Sequence, residues 1–166
     1  VIDVLSANKE CRRFVKRHRD NPEAHGGLGS HNEHDWTEKK SFKWQAVRFC
    51  YKVFAVQHAL ENIDSDWIIW LDADTYSFRP MPKDFLEQLL PRDTMLTYLG
   101  RQNPDLKDGG KDPECGFVGY NLNHPEIQNY NNEWENMYVT DDVFKLTLGW
   151  TDCSTLWHLS KLYQKE

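Results

Sequence analysis

The segment WIIWLDADTYSF, residues 67–78, sets two carboxylates, Asp72 and Asp74, one residue apart at the end of an apolar run. The two-residue alternation of a strand points both to the same side. Carboxylates so placed repel one another unless a positive charge lies between them. A divalent cation with hard oxygen preferences, Mg2+ or Mn2+, meets that need and can in turn hold a diphosphate. The same pair also fits an ordinary strand-to-loop turn in which one carboxylate caps the next element.

Three further places carry chemistry. Arg48 and Lys52 lie four apart in a segment of helical periodicity and share a face, as ligand-directed cations or as a solvated surface. Glu114 stands before Cys115-Gly116 at the start of an apolar strand; Gly116 permits close approach of a ligand to the backbone. Asp152 lies between Thr151 and Cys153, where it suits the N-cap of a helix beginning at Ser154 or Thr155. His25, His31 and His34 have spacings a zinc ion could use, but no fourth ligand stands in register, and they read as accidental.

The elements that would position these residues follow from periodicity. Residues 1–7 alternate apolar and polar and predict a strand, followed by a short helix over Cys11–His18. Residues 20–40 lack periodicity and read as a long loop. A helix is expected from an N-cap at Ser41 to about Asn62. Asp66–Leu71, apolar on both faces, predicts a strand in the interior of a sheet. KDFLEQLL, residues 83–90, is an amphipathic helix stopped by Pro91. TMLTYLG and GFVGYNL are further strands, separated by a Gly/Asp/Pro/Lys loop over residues 101–113. Helices are expected over Pro125–Tyr138, over Asp141–Leu148 and from Ser154 to the end, with Trp157 and Leu159 facing inward. Strands alternating with helices predict an α/β fold, a three-layer, Rossmann-like, mostly parallel sheet flanked by helices. Ligands of such sheets bind at the carboxyl ends of the strands, where Asp72 and Asp74 stand.

Composition narrows the function. The 166 residues suit one domain, and the abrupt start at Val1 leaves open that it is truncated at either end. With 26 acidic and 20 basic residues the net charge is -6, against nucleic-acid binding; CRRFVKRHR is too short a basic run to reverse that. No apolar run approaches the ~20 residues that span a bilayer. Cys11, Cys50, Cys115 and Cys153 form no C-x-x-C pair and read as reduced thiols in a cytoplasmic setting.

Two enzyme classes place D-x-D at a strand end. Haloacid-dehalogenase-like phosphohydrolases use D-x-D-x-T with the first Asp as nucleophile; here Thr75 falls one place early and Tyr76 takes its position, although Asp141-Asp142 offers a superficial second acidic motif. The chain more closely resembles the GT-A glycosyltransferases, in particular the glycogenin and lipopolysaccharide galactosyltransferase group. WIIWLDADTYSFRPMP is similar to their D-x-D segment, ECGFVGYNLNHP to their N-x-G strand, and WTDCSTLW to their D-Q-D-x-x-N turn; these pieces span roughly residues 42–160.

That resemblance implies transfer of a sugar from a UDP- or GDP-sugar to a hydroxyl-bearing acceptor. Asp72 and Asp74 would hold Mn2+ or Mg2+, with Asp72 acting directly or through water and the ribose. Arg48 and Lys52 would reach the donor phosphates or sugar. Glu114 stands where relatives carry Asn, and as a carboxylate it could serve as a base. Asp152 would bind sugar hydroxyls or deprotonate the acceptor. Relatives complete the metal site with a late histidine; here His158 is the sole late one, in a helical LWHL where packing is the simpler role. Tyr76, Tyr98, Tyr120, Trp134 and Trp150 are candidate stacking platforms, most of them expected in the core. Inversion or retention stays open. The alternatives are the phosphohydrolase and a carbohydrate- or nucleotide-sugar-binding module without turnover.

Overall fold

The computed structural model describes residues 1–26, 42–102 and 111–163. The expected loop therefore falls outside the described residues from residue 27 onward, and His31, His34 and Ser41 fall outside with it.

The predicted N-terminal strand is a helix, α1 (Val4–Ala7). Asp3 overrides the alternation: its carboxylate accepts from the Leu5 amide at 3.1 Å and the Ser6 hydroxyl at 2.6 Å, a local cap that turns the chain. Asn8 closes α1 and caps α2 (Lys9–Arg17), accepting from the Cys11 amide at 2.8 Å. A single-turn helix at Phe42–Trp44 precedes α3 (Ala46–Asn62), whose Val47, Cys50, Val53, Phe54 and Val56 are buried.

The sheet departs from the predicted architecture. It has three strands among the described residues, β1 (Trp67–Leu71), β2 (Leu96–Gln102) and β3 (Lys111–Asn121), in the order β1-β3-β2. Both pairings are antiparallel, Trp67 opposite Asn121 and Leu96 opposite Tyr120. The mostly parallel, three-layer Rossmann-like sheet is thus overturned. The physical reason is instructive. β1 and β2 do run in the same direction, joined through α4 (Lys83–Leu89), and so present the pattern of a crossover unit. β3 then inserts between them in the opposite sense, which alternation cannot reveal.

β1 is consequently an edge strand rather than an interior one. Ile68 and Trp70 pack on the core, whereas Ile69 and Leu71 are exposed. Val118 and Tyr120 of β3, both fully buried, face the core formed with α3, α5 (Ile127–Val139) and α6 (Asp152–Tyr163). Trp134 anchors this layer, its indole N–H donating to Thr155 Oγ1 at 2.7 Å. The helix expected over Asp141–Leu148 shrinks to a single 3-10 turn, Asp142–Lys145: Asp141 stands before it with a left-handed φ of 65°, and Leu146 ends it in extended backbone, ψ 132°. No helix among the described residues is long and apolar enough to cross a membrane.

Gly119 tests this packing. A β-carbon there would lie 2.7 Å from both Leu90 Cδ2 and Thr97 Cγ2, whereas at Gly116 the nearest atom is 3.5 Å away. Urea unfolding of Gly119→Ala is expected to show a loss of about 1–3 kcal/mol from overpacking, and Gly116→Ala less than ~1 kcal/mol.

Candidate functional site

The site is built on an irregularity in β3. Tyr98 pairs with Val118, but the next residue of β2, Leu99, pairs with Glu114, so residues 115–117 bulge out of the β2 ladder. A bulge releases carbonyls and re-aims side chains. The Gly116 carbonyl accepts the Asp72 amide at 3.0 Å and the Thr75 hydroxyl at 3.4 Å. The chain then turns sharply, Thr75 N–H bonding back to the Asp72 carbonyl at 2.9 Å. Asp72 and Asp74 accordingly belong to a turn rather than to one alternating strand.

The Cys115 carbonyl, also in the bulge, accepts the Lys52 ammonium at 2.7 Å. Lys52 Nζ is further held by Asp152 Oδ2 at 2.5 Å and lies 3.2 Å from Asp72 Oδ1. Its side chain is 7% exposed, and its nitrogen sits 5.0 Å from the centre of the Trp70 ring, a cation–π contact. Trp70 Nε1 donates to the same Asp72 Oδ1 at 2.6 Å. Burial pushes the Lys52 pKa down, but the Asp152 carboxylate outweighs it, with help from Cys115 and Asp72, and the net shift is upward. The positive charge expected between carboxylates is therefore in part the protein's own.

These groups line one cavity of about 980 Å³, which also takes in Arg48, Asp74 and Glu114. Five separate segments thus converge: α3, the turn after β1, β2 through Arg101, the start of β3, and the first turn of α6. Glu114 is ion-paired with Arg101. Arg48 is exposed, its guanidinium 4.7 Å from the centre of the Phe42 ring, and it pairs with no carboxylate among the described residues. Asp74 is exposed and has no hydrogen bond or ion pair among the described residues. Gly116 adjoins the cavity; a β-carbon on it would lie 3.8 Å from both Asp72 Oδ2 and Glu114 Oε1. Asp152 does not cap α6. Thr151 does, its hydroxyl accepting the Ser154 amide at 3.0 Å.

The donor set separates two kinds of cation. Asp72 Oδ2 and the Asp74 carboxylate are hard oxygens, the donor type that suits Mg2+ or Mn2+. Among the described residues, the one cluster of three potential ligands is elsewhere: Cys115, Asp152 and Cys153, whose ligand atoms lie within 4.8 Å of one another. Thiols are soft donors and do not suit Mg2+ or Mn2+.

Other candidates fall away from the cavity. Asp141 is held by Arg17 at 2.7 Å and His18 at 2.8 Å and ties α2 to the turn after α5, whereas Asp142 makes a local pair with Lys145 at 2.5 Å. His25 bonds the His18 carbonyl at 3.1 Å, and His158 is exposed rather than packed. Tyr120, Trp134 and Trp150 are buried in the core, and Tyr76 is exposed. Residues that motif reading missed are Trp70, Arg101, Cys115 and Cys153, all in the cavity wall. Nearness in sequence to Asp72, Glu114 and Asp152 was the available signal for Trp70, Cys115 and Cys153; Arg101 had none, since it meets Glu114 only across the strands. No protein-family model matches the chain, and no curated protein or solved structure does so either.

Lys52→Met leaves Asp152, itself 6% exposed, buried beside no cation. Chemical denaturation is expected to register a loss of about 3–5 kcal/mol, with partial recovery in Lys52→Met/Asp152→Asn. Because the Lys52 pKa is raised, its contribution is intact below the ordinary lysine value of 10.5 and disappears as pH climbs through the higher folded value. Wild-type stability should fall on that alkaline side, and the fall should be smaller in the double variant.

Proposed function

We propose that the cavity binds a nucleotide-diphosphate sugar and that the chain transfers the sugar to a hydroxyl-bearing acceptor, with Mn2+ or Mg2+ at Asp72 and Asp74. The observation that carries this reading is convergence. Arg48, Lys52, Asp72, Asp74, Glu114 and Asp152, chosen for their chemistry from four distant segments, all line one cavity. Unrelated surface charges would have scattered.

The division of labour follows from the contacts. Lys52 and the Trp70 indole hold Asp72 Oδ1, which orients the carboxylate and leaves Oδ2 on the Gly116 side. Asp74, with no competing partner among the described residues, supplies the second oxygen ligand. The divalent ion, when bound, neutralises charge that develops on the leaving diphosphate. Arg48, stacked on Phe42 and unpaired with any carboxylate among the described residues, is a cation available to a phosphate. Lys52 acts at one remove, by positioning Asp72 and Asp152, rather than on the phosphates themselves. Glu114 and Asp152 each share their carboxylate with a cation, so either would serve as a base on release from Arg101 or Lys52. We place the chain in the cytoplasm, a setting in which its four free thiols stay reduced.

Thermal shift and calorimetry with UDP- and GDP-sugars, each with and without Mn2+, test the reading. Metal-enhanced binding is expected, and Asp74→Asn should weaken it by about 10–100-fold, the loss of one charge-assisted ligand of ~1.5–3 kcal/mol. Binding indifferent to metal and to Asp74→Asn overturns the cation site. Binding without any donor turnover, hydrolysis included, favours a module that holds the ligand, a reading to which the two ion-paired carboxylates already lend weight.

A further inference from the structure

Cys115 and Cys153 stand out because the proposed chemistry uses neither. Both line the cavity, Cys115 in the β3 bulge and Cys153 in the first turn of α6. Their sulfurs lie within 4.8 Å of one another. We propose that they form a redox-active dithiol, a modification site that closes to a Cys115–Cys153 disulfide on exposure to a small peroxide. The inference does not depend on what the cavity binds.

The two sulfurs are not equivalent. Cys153 is half-buried, whereas Cys115 is 2% exposed. The neighbouring Cys115 thiol holds the Cys153 thiol below the ordinary cysteine value, against its burial and the adjacent Asp152 carboxylate, and the Lys52 ammonium assists least. The same thiol–thiol interaction, with burial, pushes Cys115 up. The thiolate is the nucleophilic form, and the more accessible, lower-pKa sulfur is the one to carry it. Cys153 is thus the attacking sulfur and Cys115 the resolving one. The Cys153 thiolate attacks a peroxide oxygen; an S–O bond forms, the O–O bond breaks, and hydroxide leaves to be protonated by solvent. Cys115 then attacks Cys153 Sγ, the S–S bond forms, and the hydroxyl departs as water with the Cys115 proton. Two thiols lose two electrons, and one peroxide is reduced to two waters.

A metal ion is the competing occupant of this cluster, and the charges oppose it. Asp152, the third potential ligand, is already neutralised by Lys52 Nζ at 2.5 Å, and the same ammonium sits on the Cys115 carbonyl at 2.7 Å. A second cation would have to displace it. The molecule also carries its own control. Cys11 and Cys50 are a second pair of neighbouring thiols, but both are fully buried in the packing of α2 on α3 and present no sulfur to an oxidant.

The test uses the whole chain, reduced, freed of reductant and treated with hydrogen peroxide, its thiols being titrated after denaturation. The four thiols of the sequence should fall to two, peptide mapping should join Cys115 to Cys153, and dithiothreitol should restore all four. Cys153→Ser and Cys115→Ala should each abolish the cross-link, and Cys11→Ala should retain it; the wild-type map stands even where a variant folds poorly. A Cys11–Cys50 cross-link, Cys153 carried to sulfinic acid with no disulfide, or four surviving thiols overturns the proposal. So does one equivalent of zinc in the purified protein that blocks oxidation until chelated, which would make the cluster a metal site.

Discussion

The contact between the Lys52 ammonium and the Asp152 carboxylate joins three parts of the molecule that share no covalent proximity. Lys52 comes from the middle of α3, Asp152 from the first turn of α6, and the third partner is a carbonyl of the β3 bulge. A charge so deeply buried is tolerated only when its partners are complete. The constraint then runs outward. The bulge must stay open to present the Cys115 carbonyl, α6 must begin where Thr151 caps it, and Asp72 must end β1 within reach. The cavity is the space left around this one satisfied cation. Its shape and its electrostatics have a single origin.

The same arrangement revises what a pair of neighbouring carboxylates means. Asp72 is divided between two demands, one oxygen facing a lysine and an indole, the other lying on the Gly116 side. Such a residue is oriented before any ligand arrives, a form of preorganisation that costs nothing at the moment of binding. Asp74 differs in having no such support among the described residues. The two members of the motif therefore have different physical characters, one fixed and one exposed, although in one dimension they look alike.

Much of the secondary structure was legible from periodicity: α3, β1, α4, α5 and α6 lie within a few residues of their expected spans. Strand direction was not, because the side-chain pattern of β1 is the same whichever way its neighbour runs. The two-sided apolar run of WIIWL suggested burial on both faces, but Ile69 and Leu71 are exposed on an edge strand. At the N-terminus, the Asp3 cap defeated the alternation of residues 1–7. Within the site, the residues that converge could be picked out by type, since carboxylates and cations beside apolar strands are unusual. The burial of Lys52 could not, because a lysine in a helix ordinarily reads as solvated.

The insertion of β3 between β1 and β2 has a consequence in time as well as in space. Trp67 finds its partner only at Asn121, and Leu71 only at Phe117. During synthesis, β1 and its apolar residues therefore emerge well before the strand that pairs with them exists. β2 cannot substitute, because in the finished sheet it never touches β1. Such non-local pairing slows folding and leaves an unpaired apolar edge exposed meanwhile. The order of strands that assembles the cavity thus also sets the interval over which the nascent chain is open to misassociation.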